Sequence, residues 1–198
     1  GNAKARIDGI RATDPAFGLP AIWIGAERKG DAQLAGYTVV DPSSVMTTHL
    51  SEVVRQHGYE FLGRQEVQKL LENLSKTNPK AVEELTPALL SAGAIQKILQ
   101  NLVREQVSVR DLLTIVETLA DYAALTKDTD LLTEYVRQRL SRSLVKPYVD
   151  KDRTLKVFSV APQIEELITK GINQTEYGSY LALEPVQALR IVDGAKTA

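Results

Sequence analysis

Hydrophobic and polar positions alternate in different ways along this chain. Residues 4–62 mix short apolar runs with turn signals. Ala21-Ile22-Trp23-Ile24 follows Gly18-Leu19-Pro20 and reads as a buried strand. Glu27 to Leu34 predicts a short helix ended by Gly36. Tyr37-Thr38-Val39-Val40 has the β-branched character of a second strand. The pattern predicts a β-α-β unit, a small sheet with a helix on one face. Asp41-Pro42 then signals a helix start. Aspartate can accept from the unpaired N–H groups of the first turn, and proline suits the first helical position. Val45, Met46, Leu50, Val53 and Val54 recur at helical spacing, and Gly58 is the expected terminator. His57 falls in the last turn, where a cation complements the helix dipole.

From 63 to about 143 the pattern is helical throughout. Val67, Leu70, Leu71 and Leu74 form one apolar stripe, and Ile95, Ile98, Leu99 and Leu102 form another. Between them Asn78-Pro79 starts a short helix through Leu85, broken by Pro87. A third stripe holds Leu112, Leu113, Val116, Leu119 and Ala120, with Ser108 as its candidate cap. Asp128 opens a helix carrying Leu131, Leu132, Tyr135, Val136 and Leu140. Short connections between amphipathic helices predict a compact bundle.

The tail changes character. Pro147 and the charged turn Asp150-Lys151-Asp152-Arg153 mark a boundary. Leu155 to Val160 reads as a strand, Pro162 to Ile168 as a helix stopped by Gly171, Gln174 to Ser179 as a loop, and Glu184 to Val192 as a helix. One strand cannot cover a helix face alone, so this α/β portion is expected to be partial. The fold class is therefore α+β with several subdomains: a small β-α-β subdomain, a central helical bundle and a partial C-terminal α/β subdomain.

Composition narrows the function by exclusion. The 198 residues contain no cysteine, which removes disulfides, thiolate metal sites and a cysteine nucleophile. Two histidines, His49 and His57, cannot build a multi-histidine metal cage. Lysine and arginine total 24 against 25 aspartate and glutamate, and this balance argues against a nucleic-acid surface. No apolar run approaches the roughly 18 residues of a spanning helix. The first residues carry no signal-peptide pattern.

Candidate chemistry is sparse. Gly25, Gly30 and Gly36 fit no phosphate-binding spacing. Thr48 and His49 are adjacent on a predicted helix, so they point in different directions and do not form a nucleophile–base pair. Glu83-Glu84 and Glu165-Glu166 read as solvated helix faces. Glu117 and Asp121 share a helix face but have no histidine companion for a metal. Arg137, Arg139 and Arg142 read as a salt-bridged helix exterior. Asp14-Pro15-Ala16-Phe17-Gly18-Leu19-Pro20 is more distinctive. Its two prolines make the segment stiff, and such a loop could hold Phe17 at a surface. The competing reading, and the one residue physics favours, buries Phe17 in the core.

Four blocks carry a family resemblance. Thr13-Asp14-Pro15-Ala16-Phe17-Gly18-Leu19-Pro20-Ala21-Ile22-Trp23-Ile24 and Gly36 through Leu50 (GYTVVDPSSVMTTHL) are two of them. Leu62-Gly63-Arg64-Gln65-Glu66-Val67-Gln68 is the third, and the fourth is Leu119-Ala120-Asp121-Tyr122 with Asp130 through Arg137. Together they resemble the flagellar export gate family, FlhA, in the family's order over about residues 4–145. The first block is similar to the flagellar branch rather than the virulence-secretion branch.

The resemblance implies the cytoplasmic part of a protein anchored at the bacterial inner membrane by an N-terminal domain. It implies a nonameric ring that docks export chaperones with their substrates and helps order export. The export ATPase complex and other gate components are implied as partners, with no cofactor and no catalysis. It further implies a second subdomain over 1–41, the end of a first over 42–62, a helical third over 63–143 and part of a fourth over 144–198. Chaperones would dock at a hydrophobic dimple whose matching positions are Asp14, Phe17 and Thr48, with Val40 and Val45 as apolar lining. On that reading Phe17 is an exposed anchor. The alternatives are the equivalent gate of a virulence secretion system, a small hydrolase using His49 or Glu117, and a purely structural oligomer element.

Overall fold

A computed structural model describes residues 7–175 and 178–197, without the side chains of 174, 178, 179 and 197. The chain divides into two compact units, the first ending at Leu62 and the second starting at Gly63.

The first unit begins with a two-stranded antiparallel hairpin, β1 (Ile10–Thr13) and β2 (Pro20–Trp23). Its register pairs Ile10 with Trp23 and Thr13 with Pro20. A Cβ at Gly9 would meet the Trp23 carbonyl and the Ile22 side chain, so the chain enters β1 through a position only glycine fits. A single 3-10 turn (Ala26–Arg28) leads into α1 (Lys29–Leu34), which buries Ala32. Gly36 ends α1 as expected, and the mechanism is visible. It sits at φ 86°, its N–H donates to the Gln33 carbonyl, and the Tyr37 N–H reaches back to Ala32, both at 3.0 Å. These two bonds close the helix end as a Schellman motif.

Tyr37 to Val40 is not a strand. The Tyr37 N–H is taken by the helix end, and among the described residues the small sheet holds the two strands β1 and β2. The first sheet element is thus a hairpin before the helix, and residues 37–40 run unpaired to the next cap. Nor is the Ala21–Ile24 segment buried: Ala21, Ile22 and Ile24 are half-buried and Trp23 is exposed. α2 (Pro42–His57) starts at Asp41, whose carboxylate accepts the Ser44 N–H at 2.9 Å. None of its residues is buried. It ends at Gly58 in right-handed geometry and continues as a 3-10 turn (Gly58–Phe61).

The second unit contains the core. α3 (Arg64–Ser75), α4 (Pro79–Leu85), α5 (Ala92–Arg104), α6 (Leu112–Ala123), α7 (Thr129–Arg139) and the short α8 (Ser141–Val145) follow one another. Val67, Leu85, Ile95, Ile98, Leu99, Leu102, Ile115, Val116, Leu119, Leu132 and Val136 are fully buried between them. Four of these form the whole predicted stripe of α5. Ile115 was not in the predicted stripe of α6, although it lies four residues before Leu119 on the same face. The starts of α5, α6 and α7 are capped by side chains: Ser91 accepts from Ala94, Asp111 from Thr114, and Asp128 from Asp130 and Leu131. Asp111 therefore displaces Ser108 as the cap of α6. Ser108 instead accepts the Arg110 N–H in the preceding turn. Two buried hydroxyls, Thr118 and Thr133, each donate to the carbonyl four residues earlier at 2.6 Å, so neither is left unsatisfied. Tyr122 and Tyr135 stack across α6 and α7, with ring centroids 4.1 Å apart.

Beyond α8 the chain departs from expectation. Leu155 to Val160 is not a strand; its one bridge joins Leu155 to Val149 across the turn at Asp150. Apolar, β-branched residues favour a pleated surface only where a partner strand supplies the hydrogen bonds. The segment taken as a loop instead contributes pairing. β3 (Ile172–Thr175) and β4 (Gly178–Leu181) form an antiparallel hairpin, while residues 176 and 177 of that segment lie outside the described residues. α9 (Pro162–Gly171) and α10 (Pro185–Thr197) flank it in the sequence, near the predicted spans. Among the described residues, no helix is long and apolar enough to cross a membrane.

Candidate functional site

The five candidate positions all lie in the first unit. Asp14 and Phe17 share the loop joining β1 to β2. The Asp14 Oδ1 accepts the Ala16 N–H at 3.1 Å and the Phe17 N–H at 2.7 Å. The Asp14 N–H donates to the Leu19 carbonyl at 2.8 Å, and the Asp14 carbonyl accepts the Gly18 N–H at 2.9 Å. Gly18 adopts φ 68°, a left-handed conformation that a β-carbon disfavours. One carboxylate and one glycine thus fix a tight loop whose backbone is internally satisfied. Phe17 projects from it 61% exposed, and so does Leu19. The core reading of Phe17 is overturned: a six-residue loop with its polar groups paired locally has no need to bury its tip.

Val40, Val45 and Thr48 belong to the approach and first turns of α2. Val40 is exposed, Val45 half-buried and Thr48 exposed. The Val45 N–H donates to the Asp41 carbonyl, which places Val45 in the first helical turn, and Thr48 follows three residues later on the same side. Asp41 also accepts the Ser44 hydroxyl at 2.8 Å and the Ser43 hydroxyl. These bonds, the Ser43 hydroxyl first, hold its carboxyl well below the usual carboxylate range. The helix start that carries Val45 and Thr48 is therefore tied to an ionised aspartate.

The candidates form two local clusters, Asp14 with Phe17 and Val45 with Thr48, and no hydrogen bond or ion pair among the described residues joins them. Several exposed apolar side chains near them in the sequence lie outside the candidate set. Leu19, Trp23, Met46 and Leu50 are all exposed. Leu19 sits between Gly18 and Pro20, a placement that already signals a loop tip. Met46 and Leu50 are four apart on a helix in which no residue is buried, and helical periodicity alone cannot report whether a stripe is covered.

The other candidates for chemistry stay apart. The His49 ring makes no hydrogen bond among the described residues, and His57 pairs with Glu60 at 2.8 Å. That pairing lowers the Glu60 carboxyl below its ordinary value. Glu117 and Asp121 stand exposed on α6, and no group of three metal-ligating side chains converges among the described residues. Arg137 lies between Glu134 and Glu105, a helix-exterior network linking α7 to the end of α5.

The FHIPEP family model matches residues 1–198. The flagellar biosynthesis protein FlhA of Bacillus subtilis is 49% identical over 179 residues, which is 90% of this chain and 26% of that protein. The Chlamydia pneumoniae CdsV structure superposes with a TM-score of 0.78 at 36% identity, covering 92% of this chain and 53% of that one. Nonameric EPEC SctV-C superposes with a TM-score of 0.76 at 30% identity, covering all of this chain and 60% of that one. This chain thus spans about a quarter of the length of FlhA from Bacillus subtilis. The mixed, helix-rich fold agrees with these structures, and the chain belongs to the FHIPEP family.

Proposed function

We propose that this chain is a docking element of the cytoplasmic part of a flagellar type III export gate, and that it binds export chaperones carrying their substrates. The supporting observation is the loop at Asp14, which holds Phe17 out of its own fold. An aromatic that gives up little conformational freedom on binding is how a small contact gains affinity. An amphipathic helix laid over Phe17, with Val40 and Val45 as further apolar contacts, would bury this surface. Asp14 and Thr48 would supply the polar rim. The identity to a flagellar FlhA favours the flagellar system over a virulence system.

The same reading makes the protein a component of a homo-oligomeric ring at the inner face of the bacterial inner membrane, anchored by a portion outside this chain. It is non-enzymatic, and works with the export ATPase complex and other gate components. The nonamer of a relative 30% identical over the whole chain supports the ring. The subdomain boundaries 1–41, 42–62, 63–143 and 144–198 go with it. Exposed apolar residues on α2, such as Met46 and Leu50, fit a helix whose covering partner lies in the remaining part of a first subdomain.

Calorimetric titration with a flagellar late-substrate chaperone tests the reading. Saturable binding, with no comparable affinity for a virulence-system chaperone, is the expected result. Absence of binding by the folded chain, or equal binding to both chaperones, contradicts it.

A further inference from the structure

Charge is unevenly placed along this chain. Residues 137–156 hold seven cations against two carboxylates, although the net charge of the whole is -1. Pairing within the stretch is uneven too. Arg137 is taken by Glu134 and Glu105. The side chains of Arg139, Arg142, Lys146, Lys151, Arg153 and Lys156 have no ion pair or hydrogen bond among the described residues. Of the three arginines expected to form a salt-bridged helix exterior, Arg137 alone does so.

The local structure turns these cations outward. Leu140 joins α7 to α8: its N–H donates to the Val136 carbonyl, and its own carbonyl accepts the N–H groups of Ser143 and Leu144. Helical spacing therefore carries from Arg139 through Arg142 to Lys146, three and four residues apart on one side. Leu140 is buried and Leu144 half-buried, so the core lies on a different side of the same turns.

The turn that follows is built on Asp150. Its carboxylate accepts the N–H groups of Asp152 at 3.0 Å and Thr154 at 2.9 Å, together with the Thr154 hydroxyl. Val149 and Leu155 bridge across the base of the turn. Asp150 is thus engaged within its own turn, which carries Lys151 and holds Arg153 at φ 60°. Tyr148 stands just before it, 75% exposed.

Every residue from Val145 to Lys156 is exposed. A surface without walls selects no shaped ligand. It suits a flat partner with many mobile anions, where each cation finds its own. The anionic headgroups of a bilayer surface meet that requirement, since every lysine or arginine near them adds to the attraction. Tyrosine favours the same boundary, with its ring towards the acyl chains and its hydroxyl in water. Single-stranded nucleic acid is held instead by several stacking aromatics along a groove, and Tyr148 is the one aromatic between Arg139 and Lys156.

We propose that Arg139, Arg142 and Lys146, with Lys151, Arg153 and Lys156 of the following segment, form a contact surface for anionic phospholipid headgroups. The proposal rests on the reading that places this protein at the inner face of the membrane. Its failure would leave chaperone docking untouched, because the docking residues lie in the first unit.

Co-sedimentation of the whole chain with vesicles tests it. Vesicles of about 30% phosphatidylglycerol in phosphatidylcholine are expected to bind at least about tenfold more protein than phosphatidylcholine alone. At about 1 M salt, where the Debye length falls to about 3 Å, the excess should vanish. Each cation removed should lower partitioning about fivefold, so Arg139→Gln/Arg142→Gln/Lys146→Gln should lose about a hundredfold. Lys69→Gln/Lys76→Gln/Lys80→Gln removes the same charge from exposed positions on and after α3 and should bind like wild type. Circular dichroism verifies that both variants are folded. A single-stranded oligonucleotide and polyglutamate are titrated in parallel. Equal binding to both vesicle types, an equal loss in both triple variants, or tighter binding to either polymer than to the anionic vesicles overturns the proposal.

Discussion

The carboxylate of Asp14 accepts the backbone N–H of Phe17 at 2.7 Å, so the residue at the base of the loop sets the conformation of the residue at its tip. Docking through Phe17 then depends on a side chain that need not touch the partner. Asp14→Ala removes the carboxylate oxygen that accepts both the Ala16 and the Phe17 N–H and frees the loop. The expected outcome is a loss of about tenfold in chaperone affinity, roughly 1.4 kcal/mol, from ordering the loop on binding. Asp14→Asn, which can form the same kind of turn, should recover much of it. Calorimetry on the three proteins checks this, with unchanged thermal unfolding of the helical unit as the control.

The helical unit should fail separately from the loop. Ile98 and Leu99 are fully buried in α5. Truncating either to alanine leaves a cavity that costs about 2–5 kcal/mol. Denaturant titration followed by far-ultraviolet circular dichroism should show the helical transition shifted to lower denaturant. A shift under about 1 kcal/mol would mean the site relaxes or is less packed than the structure indicates.

Loss of a cap should be smaller and local. The Ser91 hydroxyl accepts the Ala94 N–H at 3.2 Å at the start of α5. Ser91→Ala should destabilise the helical unit by about 1 kcal/mol, and Ser91→Asp by less, because aspartate caps equally well and favours the helix dipole. Paired thermal melts would read the difference.

Acid should weaken the start of α2. The Asp41 carboxyl titrates below its ordinary value of 3.8 because the Ser43 hydroxyl, the Ser44 N–H and the Ser44 hydroxyl bond to the ionised form. Below that ordinary value the unfolded chain binds the proton before the folded one does. The contribution is therefore complete above 3.8 and declines as pH falls through the folded value. Glu60, lowered chiefly by its bond to His57, adds loss with the same sign below its ordinary 4.5. Between pH 5 and pH 2, α2 in wild type should lose more order than in Asp41→Asn, which keeps a cap but cannot titrate. Amide exchange across Val45 to Leu50 measures it; equal acid sensitivity in both proteins would contradict the assignment.

Much of this architecture was legible in the sequence where local chemistry decides the outcome. Asp41-Pro42, Asp128 and Gly36 each ended or began a helix through bonds made within a few residues, and the α5 stripe was read correctly. Ser108 and Asp111 are both competent caps three residues apart, and only the geometry of the turn before α6 chooses between them. Tyr37–Val40 has strand-forming residues but no strand partner among the described residues, Leu155–Val160 has only the single bridge from Leu155 to Val149, and pairing is not a local property. Phe17 is the sharpest case. Hydrophobicity assigns it to a core, whereas an aspartate three residues earlier and a left-handed glycine after it turn it outward. Family resemblance, not composition, pointed to that outcome.

The most direct test is calorimetric titration of a flagellar late-substrate chaperone into wild type, Phe17→Ala and Leu34→Ala. Leu34 is 90% exposed on α1 and lies outside the proposed dimple, so its truncation controls for any general effect of removing surface apolar area. Docking through Phe17 predicts that Phe17→Ala loses roughly 2 kcal/mol or more, about thirtyfold in affinity, while Leu34→Ala binds like wild type. Equal affinity of folded Phe17→Ala and wild type would contradict the account.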